Sequence, residues 1–244
     1  MFDGNAMLCR LRLVLLAGVL LGIGACTYGG NLEDPFVQKF AWFSLLDGDD
    51  LRKTCGTGAG ANPDDRYRFV YNARYTKHVR VYDLTVRPDG SGTLLSRVQL
   101  PENLSRIVVD SPGDLLSPWR WNSATTVLTA QEVSQLTTAL TNSGFGQEPP
   151  VGRWLDSRAY YWIAVACTGD QMVFNAWSYP SERYDEISFP AILARFDRTG
   201  IAMPPPRKVD PSGRLRARGG LSAREFAGVD FEVEVGANGL VGQR

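Results

Sequence analysis

Two groups of β-forming stretches, each folded back on itself by a short turn, constrain this chain more than any other feature. Residues 66–75 carry Tyr67, Phe69 and Tyr71 in alternation, and residues 79–87 and 93–100 are separated by Pro88-Asp89-Gly90-Ser91-Gly92. Alternation at period two marks strands, and proline, aspartate and glycine supply the turn, so the three stretches form a meander. The apolar parity shifts between Val81 and Leu84, which a bulge or burial of both faces would explain. Residues 160–167 and 172–178 flank Thr168-Gly169-Asp170-Gln171 as a second hairpin, and the bulky run Tyr160-Tyr161-Trp162 fits a central strand. Residues 104–110 are a further strand candidate.

Helical signals fall around and between these strands. Asp34 and Pro35 suit a cap and first helical position, with Phe36, Val37, Phe40 and Phe43 at helical spacing before Gly48. Thr129 and Glu132 make a capping box ahead of Val133, Leu136 and Leu140, and Gly144 with Phe145 ends that helix. Ser188 and Pro190 open another, with Ile192, Leu193 and Phe196 on one face and Gly200 as the stop. The order predicts an α+β fold, an antiparallel sheet with two or three helices packed on one face.

The N-terminus sets a compartment. Arg10 and Arg12 precede an uncharged run at residues 13–23, and Gly24-Ala25 lie before Cys26. A spanning helix needs about 20 apolar residues, and eleven fit a secretory leader instead. Ile23-Gly24-Ala25-Cys26 resembles the lipobox of bacterial lipoproteins. That resemblance implies cleavage before Cys26 and acylation of its sulfur and amine; several acyl chains then anchor durably where one would not. Thr27, rather than aspartate, follows the lipidated residue, which implies the outer membrane as destination, the chain facing the periplasm. Asp3 is unusual in a leader, and either Met1 or Met7 serves as the start.

Loss of residues 1–25 removes Cys9, and lipidation takes Cys26, so Cys55 and Cys167 remain and an oxidising periplasm makes them a disulfide. The alternative, a reactive thiol, would need a base, and His78, the only histidine, sits at a strand entry where a surface position is expected. From 26 basic and 26 acidic side chains the leader takes Arg10, Arg12 and Asp3, leaving 24 and 25, a balance with no global footprint for nucleic acid.

Chemistry-bearing motifs are sparse. Gly56, Gly58 and Gly60 follow no strand and open no helix, so the dinucleotide pattern fails. Asp47, Asp49 and Asp50 suggest a cation loop, but Leu51 and the absence of a closing Glu argue against one, and no metal or cofactor is expected. Trp119, Trp121 and Tyr160 could stack on sugar rings or belong to the core. Asp114, Asp156 and Asp170 are acids that a two-carboxylate hydrolase could use, if any two converged. No G-x-S-x-G, H-E-x-x-H or S-x-x-K motif occurs.

The expected organisation is a signal peptide at 1–25, a tether at 26–34, an α+β domain at 35–203, a linker at 204–224 and a strand segment at 225–244. The linker holds Arg207, Lys208, Arg214, Arg216, Arg218 and Arg224 against Asp210, a composition expected to be disordered. After it, Phe231, Val233 and Val235 alternate with acids, so this strand needs a sheet edge, its own or a partner's. The resulting expectation is an envelope lipoprotein acting as a non-catalytic accessory or binding protein, with an envelope protein or polysaccharide as partner. The alternatives are a polysaccharide-binding module and a carboxylate-based cell-wall hydrolase.

Overall fold

The computed structural model describes residues 38–56, 64–100, 121–209 and 230–243. Helices α1 (Gln38–Asp47) and α2 (Asp49–Thr54) precede strands β1 (Asp65–Ala73), β2 (Val79–Val86), β3 (Gly92–Gln99) and β4 (Asn122–Leu128). Helix α3 (Ala130–Asn142) leads to β5 (Trp154–Asp156), β6 (Tyr160–Thr168) and β7 (Gln171–Tyr179). Short α4 (Glu182–Asp185), α5 (Phe189–Phe196), β8 (Glu232–Gly236) and β9 (Gly239–Gln243) complete the described chain.

Six strands form one sheet in the order β4-β3-β2-β1-β6-β7, every pairing antiparallel. Three more, β5-β8-β9, form a small antiparallel sheet. The fold is therefore α+β and mostly sheet. Because side chains alternate across a strand, each central strand serves two cores. Phe69, Tyr71, Tyr82, Trp162 and Trp177 face α3, α4 and α5, where Trp162 stacks on Tyr71 at 4.7 Å and meets Phe189 edge-on at 5.2 Å. Val70, Val81, Tyr161, Ile163 and Phe174 face the other way, against Trp42, Leu45 and Leu46 of α1 and Phe231, Val233 and Val235 around β8. The expected helices α3 and α5 thus share one face, joined by the short α4, whereas the expected N-terminal helix, α1, packs with the small sheet on the other.

Burial on both faces accounts for the parity shift in β2, whose register against β1 and β3 is uninterrupted. Tyr160, Tyr161 and Trp162 are all buried in β6, between β1 and β7. Gly48 separates α1 from α2 with φ +70, and a Cβ there would lie 2.7 Å from Val165 Cγ1, so the N-terminal helices reach the sheet only because that side chain is missing. The disulfide Cys55–Cys167 joins the end of α2 to the end of β6.

Two expectations need correction. His78 is buried, not superficial, because Arg80 Nε donates to its Nε2 at 2.8 Å inside the sheet. The segment from Pro204 does not begin as free linker: Tyr71 donates its hydroxyl to the Pro204 carbonyl at 2.8 Å, and Met203 packs on the helical-face core. The strand expected at 230–235 finds its edge within the chain, paired with β5 and β9. The leader, Cys26, the tether, the candidate strand at 104–110 and residues 210–224 of the linker lie outside the described residues.

Candidate functional site: a cationic cleft at the edge of β7

Strand β7 ends the large sheet, so one side of its backbone has no neighbouring strand. Which groups face outward follows from the hydrogen-bond alternation. Ala73 N–H donates to the His78 carbonyl, so odd residues of β1 point to β2 and even residues, such as Val70, point to Ile163 of β6. Even residues of β6 therefore point to β7, pairing Trp162 with Trp177, and residues 174, 176 and 178 of β7 point away from the sheet.

A cleft of about 340 Å³ opens on this edge, lined by Pro150, Val151 and Arg153 on one side, Ala176 and Ser178 on the strand, and Ser181 and Arg183 on the other side. Its walls follow from local sequence. Helix α3 stops where Gly144 takes φ +85, Pro149-Pro150 prevents continuation, and the chain turns toward β5 with Gly152 N–H donating to the Val235 carbonyl. On the far side Ser181 caps α4 by accepting from Tyr184 N–H, which sets Arg183 beside the strand.

The electrostatics are one-sided. Arg153 Nε donates to Ser178 Oγ at 3.1 Å, and Arg183 Nη2 donates to Asn175 Oδ1 at 2.9 Å. Both acceptors are neutral, neither arginine has a carboxylate partner among the described residues, and the lining contains no Asp or Glu. Ser178 lies on the small-sheet face and Asn175 on the helical face, so the two guanidinium groups approach the edge from opposite layers. Asn175 is buried and saturated: its amide donates to the Gly144 and Gln147 carbonyls, and its oxygen also accepts from Ala176 N–H. This cleft can hold an anion.

A second polar constellation is closed. Arg80, almost fully buried, donates to His78, Tyr82, Asp197 and the Ile201 carbonyl, and Tyr82 donates to Asp197 at 2.9 Å. Burial, aided by the Arg80 charge, pushes the His78 pKa down to about 4, so its imidazole is neutral and accepts from Arg80. Burial alone would raise Asp197, but hydrogen bonds from Thr199 and Tyr82 and the Arg80 charge hold it below the ordinary carboxylate value. This cluster pins the chain after α5 to β2.

The residues singled out from sequence scatter. Cys26, Trp119 and Asp114 lie outside the described residues. Cys55 and Cys167 are bonded to one another. Trp121 and Tyr160 are 8% and 7% exposed, so neither ring offers a face for a sugar; both are core side chains, Trp121 immediately before β4 and Tyr160 at the start of β6. Asp156 is paired with Arg158 at 2.7 Å before β6, while Asp170 sits in the hairpin turn beyond it, so those two acids do not share a cleft. Asp47, Asp49 and Asp50 turn to Leu240 N–H, Ser44 and Arg68 respectively, and among the described residues no group of three potential ligands gathers around a metal position. Arg153 and Arg183 carried no motif that could have drawn attention to them.

No helix among the described residues is long and apolar enough to cross a membrane. No protein-family model and no curated protein matches the chain.

Proposed function

We propose that this protein is a non-catalytic binding protein of the bacterial envelope, tethered to the outer membrane through acylated Cys26 and holding an anionic group of a partner in the β7-edge cleft. The observation that carries the reading is a pair of arginines, Arg153 and Arg183, lining one cleft with only neutral acceptors. Each guanidinium spends one donor on a neutral acceptor and keeps the others for a negatively charged group entering the cleft. The same lining supplies no histidine, cysteine or carboxylate for acid–base or nucleophilic work, and its serine hydroxyls are occupied by Arg153, Tyr184 and the Ser178 carbonyl.

Photocrosslinking in intact cells tests this. A light-activated phenylalanine derivative in place of the exposed Val151 is expected to give discrete adducts, lost when Arg153 and Arg183 are both changed to Glu. Palmitate label is expected on the mature chain and absent from Cys26→Ser. Adducts unchanged by the double charge reversal would remove the cleft from the function, and an unlabelled chain would remove the tether.

A further inference from the structure

We infer that strand β4 pairs, edge to edge and antiparallel, with β4 of a second copy of this chain, joining two six-stranded sheets across a two-fold axis at Thr125. The two end strands of the large sheet are finished differently. At β7, Asn175, Ala176 and Trp177 are buried, and the segment after α3 is held across that edge by the Asn175 amide, which donates to the Gly144 and Gln147 carbonyls. At β4, Ser123, Thr125 and Val127 are exposed, Val127 at 72%. These three are also the residues whose backbone faces outward. Arg87 N–H donates to the Ser91 carbonyl, so odd residues of β2 and β3 pair with one another and even residues of β3 turn to β4. Val98, Ser96, Leu94 and Gly92 therefore engage Asn122, Ala124, Thr126 and Leu128, and the N–H and carbonyl groups of Ser123, Thr125 and Val127 point away from the sheet. None of the six has a partner among the described residues.

A row of unpaired backbone groups is a template for another strand, and proteins ordinarily blunt such an edge with a charge, a proline or a bulge. Asn122–Leu128 has neither charge nor proline, and its register with β3 is uninterrupted. A second copy is the occupant because the strand is complementary to itself. With Thr125 opposite Thr125 of the second copy, Ser123 meets Val127 on each side, and every outward N–H and carbonyl of the strand is satisfied on both copies. A shift of two residues either way sets one of the three opposite a position outside the strand. Threonine then faces threonine and serine faces valine, so no like charges meet across the axis. A foreign strand would have to bring a matching register, whereas symmetry supplies it here. One seven-residue strand per copy places the contact at the low end of specific interfaces, so dissociation at roughly micromolar concentration is expected.

Cysteines placed along β4 of the whole chain in intact cells read both partner and register. Thr125→Cys is expected to give a covalent dimer, since residues opposite one another in a hydrogen-bonded pair have Cα atoms about 5.5 Å apart, within disulfide reach. Ser123→Cys alone and Val127→Cys alone are expected to give none, because like positions lie roughly 14 Å apart, while the two co-expressed should crosslink to each other. On the unaltered protein in detergent, hydrogen exchange at Thr125 N–H is expected to quicken at least roughly tenfold on dilution through the micromolar range. Thr125→Lys sets like charges opposite one another and should exchange fast at every concentration. Failure of Thr125→Cys to dimerise, its capture of a different protein instead, or equal crosslinking from all three single positions would each overturn the inference. So would fast exchange at Thr125 at every concentration in the unaltered protein, and because that is read without any substitution, a variant that fails to fold does not rescue it.

Discussion

His78 shows how one side chain couples this fold to acidity. It faces Arg80, with Asp197 and Tyr82 beyond, and burial beside that guanidinium lowers its pKa to about 4 from 6.5. The unfolded chain therefore binds a proton at His78 between pH 6.5 and 4 while the native state does not, and stability falls as pH drops through that window. The full loss amounts to about 3 kcal/mol at 1.36 kcal/mol per pKa unit, with Asp197, whose pKa is also lowered, adding its own loss at lower pH. Urea unfolding between pH 7.5 and 4 is expected to follow that slope, and His78→Gln should flatten it above pH 4.5 even where it lowers stability overall. A variant with an unchanged slope would show that the proton uptake belongs elsewhere.

Helix α3 owes its start to a single turn of sequence. Thr129 accepts from Glu132 N–H, and the Glu132 carboxylate accepts from Thr129 N–H at 2.8 Å, satisfying two donors that the first helical turn cannot. Thr129→Ala is expected to cost about 1 kcal/mol in urea unfolding, and Thr129→Ser to restore most of it, whereas an unchanged midpoint for the alanine variant would mean the box is redundant with packing. That box was legible because capping is local, as were the strands of both hairpins, where period-two patterning, β-branched residues and turn residues agree. Strand β4 was missed because Asn122–Leu128 faces the core with only Ala124, Thr126 and Leu128, too weakly apolar to read as alternation. Strands β5 and β9 and helix α4 escaped because three to five residues, glycine-rich in β9, hold no period. The cleft was illegible for a different reason. Arg153 stands in the turn before β5 and Arg183 in the short helix α4, about 30 residues apart in sequence, and only the folded sheet brings them to one edge.

At the scale of the whole molecule the two layers on the small-sheet face are held by unlike means, and their unequal strength is testable. Strand β8 buries Val233 and Val235 in the core, while α1 and α2 combine apolar packing by Trp42 and Leu46 with Asp50 bridging Arg68 and Arg66. Burial alone would raise the Asp50 pKa, but the Arg68 guanidinium beside it holds it below the ordinary value. The disulfide then ties α2 to β6 across a sequence separation of 112, closing a loop whose entropy in the unfolded chain is worth up to about 5 kcal/mol, less any native strain. Reduction, or Cys55→Ser with Cys167→Ser, is expected to cost 2–5 kcal/mol and to release α1 and α2 first, read as faster amide exchange there than in β1 or β6. The cleft should be spared. Cys167 pairs opposite Met172 at one end of β7, and Ser178 lies at the other, roughly 20 Å along the strand. Arginine-dependent crosslinking from position 151 is therefore expected to survive reduction under conditions where the sheet remains folded, and parallel loss of the adducts and of α1 protection would show that the two ends of β7 are not independent.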